Sequence, residues 1–133
     1  SAELRLREAF SGRRILLAED EPVNREITEM LLQDTGLQID TAEDGAIAVE
    51  LASRNDYALI LMDMQMPNMD GLEATRRIRQ LPNGATVPIV AMTANAFAED
   101  RQRCLAAGMN DFMTKPFDPE HVFATLLKWL TQR

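Results

Sequence analysis

The chain has 133 residues, 46% hydrophobic and 26% charged, which is typical of one globular domain with its own core. Its net charge of -7 argues against general affinity for nucleic acid, because such binding needs lysine and arginine to neutralise phosphates. No apolar run approaches the roughly 20 residues that span a bilayer, and the polar first residues are unlike a secretory signal. Cys104 is the only cysteine, so no internal disulfide can form, and we expect a cytoplasmic location.

Five stretches of the chain have the composition of β-strands. The predicted strands 14–18 and 59–63 contain the uninterrupted apolar runs 15–18 and 59–62, which are typical of strands buried on both faces of a sheet. Residues 38–42 alternate between polar and apolar side chains, which predicts a half-exposed strand at a sheet edge. Residues 87–93 and 111–114 complete the predicted set of strands.

A helical segment follows each predicted strand, and these segments cover residues 22–35, 46–54, 72–81, 98–107 and 119–130. Pro22 suits the first turn of the first helix, because its missing N–H would have no partner there. The apolar residues of that helix are spaced to form one stripe, which comprises Val23, Ile27, Met30 and Leu31. The helices are therefore expected to be amphipathic elements that pack on a sheet.

The alternation of strands and helices predicts an α/β fold, with a parallel sheet covered by helices on both faces. A doubly wound five-stranded sheet of this kind commonly has the strand order 2-1-3-4-5, which is the flavodoxin-like arrangement. We assign this domain to residues 13–131. Residues 1–12 mix apolar and charged side chains, and we interpret them as a linker or partial helix from a longer parent protein.

Four of the predicted strands end in polar residues that can take part in chemistry. Asp20 follows the first strand, Asp63 ends the third, Thr93 ends the fourth and Lys115 follows the fifth. The first and third strands are neighbours in the predicted order, at the switch point where such sheets bind ligands. Glu19, Asp20 and Asp63 are therefore expected to crowd together, with Thr93 and Lys115 beside them.

Three carboxylates in one crevice repel one another, so protons or a cation must compensate their charge. A divalent ion that keeps several waters and binds a phosphate oxygen is the usual magnesium arrangement at such sites. Lys115 can pair with Asp63 or with a phosphoryl group on it, and the Thr93 hydroxyl can donate to a phosphoryl oxygen. These are the groups that an aspartyl phosphate needs. Taken alone, Thr93 would more simply cap the next helix.

Four motifs, in this order and spacing, resemble the receiver domain of two-component response regulators. They are residues 15–20 (ILLAED), 61–71 (LMDMQMPNMDG), 91–94 (AMTA) and 115–117 (KPF). The resemblance covers about residues 13–131 and is greatest to the receivers of hybrid sensor histidine kinases. Together the four motifs are highly specific.

The resemblance implies that Asp63 is the phosphorylation site. It implies that Asp20 and Asp63 bind Mg²⁺ directly, together with the backbone carbonyl of Gln65. Glu19 is expected to act mostly through water, and Mn²⁺ is expected to substitute for Mg²⁺. The metal site would therefore combine two strand ends with the loop after the third strand.

The resemblance also implies that Thr93 and Lys115 contact the phosphoryl group and that the Lys115–Pro116 peptide bond is cis. The aromatic position that changes state in this family is Phe112, whose ring has no hydroxyl. Any coupling through Phe112 must therefore act by packing.

As a receiver, the domain would accept a phosphoryl group from a histidine kinase or a histidine phosphotransfer domain. It would catalyse its own phosphorylation and slow dephosphorylation without being a turnover enzyme. The added charge would bias the surface formed by the fourth helix, fifth strand and fifth helix of the domain. We expect a monomer or weak dimer that contacts neither nucleic acid nor membrane, within a hybrid kinase that can be anchored in the inner membrane.

Two alternative functions use similar residues. A phosphatase of the haloacid dehalogenase type needs an aspartate two residues after its nucleophile, but Gln65 occupies that position. Its acidic pair also follows the nucleophile, whereas Glu19 and Asp20 precede Asp63. A pseudo-receiver that serves only for interaction usually lacks one of the five site residues, and all five are present here.

Overall fold

The computed structural model describes residues 1–95 and 97–132. The strands in this part of the chain are β1 (Arg14–Ala18), β2 (Gln38–Ala42), β3 (Leu59–Asp63), β4 (Ile89–Thr93) and β5 (Asp111–Thr114). The helices are α1 (Ala2–Phe10), α2 (Pro22–Leu32), α3 (Gly45–Arg54), α4 (Gly71–Arg79), α5 (Ala98–Ala107) and α6 (Pro119–Thr131), and a 3-10 turn, Gln33–Thr35, follows α2. Within the described residues, no helix is long and apolar enough to cross a membrane.

The five strands form one parallel sheet in the order β2-β1-β3-β4-β5, which confirms the predicted doubly wound fold. β2 lies at an edge and is only partly buried, as its alternating pattern predicts. β4 begins at Ile89, two residues later than predicted. Pro88 has no N–H for the ladder and contributes only its carbonyl, which accepts from the Ile60 N–H at 2.9 Å.

The two faces of the sheet pack against separate helical layers. Ile60 and Met62 of β3 face α3, α4 and α5, whereas Leu59 and Leu61 face α1, α2 and α6. All four side chains are buried, which explains why β3 is a continuous apolar run. The predicted stripe of α6 packs on the second layer through Val122, Phe123, Leu126, Leu127 and Leu130.

Residues 2–10 form a helix that docks on this second layer. Ser1 caps α1 by accepting a hydrogen bond from the Leu4 N–H, and α1 packs against α6 and the 3-10 turn. Leu6 is completely buried in the core that α6 shares. The Gly12 N–H donates to the Gly36 carbonyl at 2.8 Å and ties the connection to β1. The described part of the chain therefore has six helices, where the alternating pattern predicts five.

Three of the four residues of the predicted α2 stripe face outward, whereas Leu31 is half-buried and packs against the core. Val23, Ile27 and Met30 are 60%, 54% and 65% exposed. The helix packs on the core through Thr28 and Leu32 instead, and the Thr28 hydroxyl is satisfied because it donates to a carbonyl of its own helix. The apolar spacing thus correctly predicted that α2 is a helix, but it did not identify which face of the helix is buried.

Candidate functional site

The strand ends bring the predicted site residues to one edge of the sheet. β1 and β3 pair up to the residues that precede Glu19 and Asp63, so these two carboxylates are neighbours and Asp20 lies beside them. Lys115 directly follows β5, and its backbone N–H donates to the Thr93 carbonyl at 2.7 Å. The structure thus brings all five side chains together around the switch point, between β1 and β3.

Glu19, Asp20 and Asp63 form a carboxylate cluster whose ligand atoms lie within 4.8 Å of one another. Glu19 and Asp63 are buried, at 1% and 6% exposure, whereas Asp20 faces solvent. The Lys115 ammonium donates to Glu19 Oε1 at 2.8 Å and to Asp63 Oδ2 at 3.1 Å. One lysine compensates only part of the charge of three carboxylates, so the cluster attracts a further cation.

The pKa values of Glu19 and Lys115 reflect this crowding. Burial and the neighbouring Asp63 raise the pKa of Glu19 above its ordinary value, and Lys115 offsets only part of that effect. Burial alone would lower the pKa of Lys115, but its hydrogen bonds and attraction to Glu19 and Asp63 outweigh burial and raise it. Lys115 therefore stays protonated at neutral pH, and a cation bound in the cluster would favour ionised Glu19.

The Thr93 hydroxyl is engaged with its own loop. It donates to the Asn95 carbonyl at 2.9 Å and accepts from the Asn95 N–H at 3.0 Å. The N-cap residue of α5 is Phe97, which makes no side-chain capping bond, so Thr93 does not cap that helix. Because a hydroxyl proton rotates freely, Thr93 can exchange the carbonyl for an acceptor in the cleft.

The site residues line a cleft of about 570 Å³. Its walls include three residues that the sequence argument missed, Asn24 on α2 and Asp100 and Arg103 on α5. Asp100 and Arg103 are three residues apart and share a helix face, and this spacing was the available signal. The Gln65 N–H donates to Asp63 Oδ1 at 3.2 Å, so the loop after β3 begins in contact with the cluster.

The donor set fits a hard divalent cation. Carboxylate oxygens are ligands that Mg²⁺ prefers, and the exposed Asp20 leaves room for the several waters that this ion retains. Among residues 1–95 and 97–132, this is the only group of three or more acidic, histidine or cysteine side chains that could hold a metal. The three carboxylates that the sequence predicts to crowd together are therefore the one acidic cluster with metal-binding geometry in the described chain.

Two expectations about β5 and the segment after it can be compared with the structure. The Lys115–Pro116 peptide bond is cis, as predicted. Phe112 is half-buried, and the Arg101 guanidinium of α5 lies over its ring, 4.5 Å from the ring centre. This cation–π contact, which joins β5 to α5, was not anticipated from the sequence.

A five-stranded doubly wound sheet with carboxylates and a lysine at its switch point defines a flavodoxin-like α/β domain with an acidic cleft. The chain belongs to the response regulator receiver domain family, whose model matches residues 15–127. This membership does not favour the phosphatase and pseudo-receiver alternatives. The resemblance seen in the sequence motifs is therefore confirmed.

The proteins that this chain resembles include histidine kinases and receiver domains of known structure. The chain is 44% identical over 112 residues to sensor histidine kinase RcsC of Escherichia coli K12, covering 84% of this chain and 12% of that protein. It is 44% identical over 126 residues to hybrid signal transduction histidine kinase B of Dictyostelium discoideum, a match that covers 86% of this chain and 6% of that protein. The receiver domain of sensor histidine kinase PA1611 from Pseudomonas aeruginosa PAO1 is 45% identical, with a TM-score of 0.86. The match covers 91% of this chain and 99% of that one. That crystal structure has a magnesium ion coordinated in its active site cleft.

Proposed function

We propose that this chain is the phosphoacceptor of a phosphorelay and takes a phosphoryl group from a phosphohistidine onto Asp63. The observation that carries the proposal is the buried Asp63 carboxylate, which lies 3.1 Å from the Lys115 ammonium at an open acidic cleft. The magnesium ion in the similar receiver from P. aeruginosa supports Mg²⁺ as the cation. Mn²⁺ would substitute for it, as the sequence resemblance implies. Its protein ligands would be Asp20, Asp63 and the Gln65 carbonyl, with Glu19 acting through water.

The transfer is an in-line attack by an Asp63 carboxylate oxygen on phosphorus. A P–O bond forms while the P–N bond to histidine breaks. The electron pair of that bond stays on the imidazole nitrogen, and the ring leaves as neutral imidazole because its other nitrogen carries a proton. Bound Mg²⁺ supplies positive charge to the phosphoryl oxygens. Lys115 pairs with the transferred group, and the Thr93 hydroxyl leaves the Asn95 carbonyl to donate to a phosphoryl oxygen. In dephosphorylation, a water oxygen attacks the phosphorus and the bond from phosphorus to the Asp63 oxygen breaks. Inorganic phosphate leaves and Asp63 is a free carboxylate again.

Intact mass after incubation with acetyl phosphate tests this proposal. We expect the unsubstituted chain to gain one phosphoryl group with Mg²⁺ and none with a chelator, because Asp63 needs its charge compensated during attack. Asp63→Asn removes the nucleophile but keeps the size of the side chain, so it should gain nothing. Failure of the unsubstituted chain to gain mass with several phosphodonors would contradict the phosphoacceptor function and favour a pure interaction domain.

The parent protein would be a hybrid sensor histidine kinase. The identity to RcsC and to hybrid kinase B supports this, and the chain covers only 12% and 6% of those proteins. The phosphodonor would then be the phosphohistidine of a kinase or of a histidine phosphotransfer domain. The domain itself would act as a monomer or weak dimer in the cytoplasm, without contact to nucleic acid or membrane.

An apolar groove beside the cleft would receive that partner. It has a volume of about 620 Å³, and its lining includes Ile27, Met30, Leu31, Pro116, Phe117 and Pro119. Asn24 and Lys115 border both this groove and the acidic cleft. A partner that buried the exposed stripe of α2 would therefore hold its phosphohistidine next to Asp63. Burial of this apolar surface would supply affinity without opposing the chain's negative charge.

Ile27→Asp tests the groove. We expect phosphorylation by a phosphorylated histidine phosphotransfer domain to slow by about tenfold or more, because a carboxylate replaces an apolar contact at the interface. Phosphorylation by acetyl phosphate should not change, since Ile27 is not part of the cleft lining. Leu105→Asp is the matched control, because Leu105 is 60% exposed but lies on α5, in the opposite helical layer. Equal rates for both variants with the protein donor would contradict docking at this groove.

The output surface would comprise α5, β5 and α6, which are the fourth helix, fifth strand and fifth helix counted from β1. Lys115 directly follows β5, and Thr93 precedes the loop to α5, so their movement toward a phosphoryl group acts on both elements. The contact between Arg101 and Phe112 spans the same two elements. Phosphorylation would therefore alter the packing of β5 against α5, with Phe112 responding through its ring contacts.

A further inference from the structure

We propose that Asp44 and Asn68 are positioning residues which hold the β3–α4 loop, residues 64–70, in the shape that binds Mg²⁺. The inference rests on the proposed function, because the Gln65 carbonyl in this loop is one of the proposed metal ligands. Asp44 lies just before α3 and Asn68 lies at the far end of the loop from Gln65. The pair would therefore act through the backbone and would not touch the ion.

Two hydrogen bonds join the second half of this loop to the start of α3. The Asn68 side-chain amide donates to Asp44 Oδ2 at 2.7 Å, while Asp44 Oδ1 accepts from the Ile47 N–H at 2.8 Å. The Gly45 N–H donates to the Met69 carbonyl at 3.0 Å. One carboxylate thus caps α3 with one oxygen and holds the loop with the other.

Backbone conformation and burial show that this contact is built into the fold. Asn68 has a φ of 67°, in the left-handed region that few residue types other than glycine and asparagine tolerate. Asp44 is buried, and the Ile47 N–H, followed by the Asn68 amide, holds its pKa below the usual range. A Cβ on Gly45 would lie 2.2 Å from the Met69 carbonyl oxygen, so α3 packs directly against the loop. The carboxylate is therefore ionised and in place at neutral pH.

The first half of the loop is fixed from other elements. The Met64 N–H donates to the Met92 carbonyl of β4 at 3.1 Å, and the Met64 carbonyl accepts from the Gly71 N–H at 3.0 Å. Gln65 lies between this fixed point and Asn68. Release of the Asn68 side chain would leave the second half of the loop held to the start of α3 through the Gly45–Met69 backbone bond. The Gln65 carbonyl would then be less firmly placed, and a bound ion would have to order the loop at the expense of affinity.

Asn68→Gly separates the side-chain bond from the backbone conformation, because glycine keeps the left-handed φ and removes only the amide. We expect its dissociation constant for Mg²⁺, measured by titration calorimetry, to rise by about tenfold, as for other groups that orient a metal ligand. The double substitution Asp44→Asn with Asn68→Asp exchanges donor and acceptor at unchanged net charge. It should restore affinity to within about twofold of the unsubstituted chain.

Asn83→Gly is the matched control for lost stability. The Asn83 amide bonds to the Ala52 and Asn55 carbonyls at 2.9 and 3.1 Å, and Asn83 is not among the residues that line the cleft. This variant should lower the melting temperature but leave Mg²⁺ affinity unchanged. In the metal-free chain, the Gly45 N–H should exchange with solvent faster in Asn68→Gly than in the unsubstituted protein.

The outcomes separate this inference from the function on which it rests. Mg²⁺ affinity of Asn68→Gly equal to that of the unsubstituted chain would overturn the positioning role and leave the phosphoacceptor function intact. Equal losses of Mg²⁺ affinity in Asn68→Gly and Asn83→Gly would also overturn the positioning role, because the loss would then result from lower stability of the fold. Absence of Mg²⁺ binding by the unsubstituted chain would overturn the proposed metal site and this inference together.

Discussion

Lys115→Met is expected to slow phosphorylation of Asp63 by acetyl phosphate by about 100-fold, as removal of one charge-stabilising donor does elsewhere. The same change should tighten Mg²⁺ binding. Lys115 donates to both Glu19 and Asp63, and its removal leaves three carboxylates without their compensating cation. Repulsion between the Lys115 ammonium and a nearby divalent cation is on the order of 1–2 kcal/mol even when strongly screened. Its removal should therefore raise the affinity for Mg²⁺ by about tenfold.

Opposite changes in rate and metal affinity distinguish a catalytic lysine from a structural one. Misfolding of the cleft would weaken both properties, whereas loss of a catalytic charge weakens only the rate. Stopped-flow phosphorylation and Mg²⁺ calorimetry measure the two separately. Lys128→Met is the matched control, because Lys128 lies on α6, contacts Trp129 and is not among the residues that line the cleft. An unchanged phosphorylation rate in Lys115→Met would remove Lys115 from the mechanism.

The sheet and the grouping of the site residues could be predicted from the sequence because both follow from local pattern plus one rule of topology. β3 is an unbroken apolar run that ends in Asp63, and its burial on both faces requires that pattern. In a parallel sheet all strands end at the same edge, so Glu19, Lys115 and Thr93 had to approach Asp63 once the strand order was known. No tertiary contact was needed for that inference.

Features that depend on contacts between distant segments could not be predicted. Asp44 and Asn68 are 24 residues apart, and nothing in either local sequence indicates that one holds the other. The predicted orientation of α2 was wrong for a different reason. Periodicity identifies an apolar face, but a face that binds a partner has the same period as one that binds the core. Burial of Thr28, with its hydroxyl satisfied within the helix, shows that polarity alone does not decide which face turns inward.

Leu6→Ala is expected to destabilise the whole domain, by about 2–5 kcal/mol, because it leaves a cavity in a packed core. Leu6 is completely buried against the layer formed by α2, α6 and one face of the sheet. The matched control is Leu4→Ala, since Leu4 lies on the same helix but is 41% exposed. Its loss should be about 1 kcal/mol or less, because little packed surface is removed. Urea unfolding followed by circular dichroism measures both.

The shape of the unfolding curve decides whether α1 belongs to the receiver domain or is only attached to it. If α1 and the sheet unfold together, Leu6→Ala lowers the midpoint of a single transition, and the slope with denaturant does not change. If α1 detaches first, the variant loses helical signal before the main transition, and the midpoint of that transition stays that of the unsubstituted chain. The lining of the cleft includes no residue of α1 in the described chain, so phosphorylation of the folded variant should proceed at the unsubstituted rate. A cooperative loss of stability with unchanged chemistry would place the start of the folded unit at α1, before residue 13.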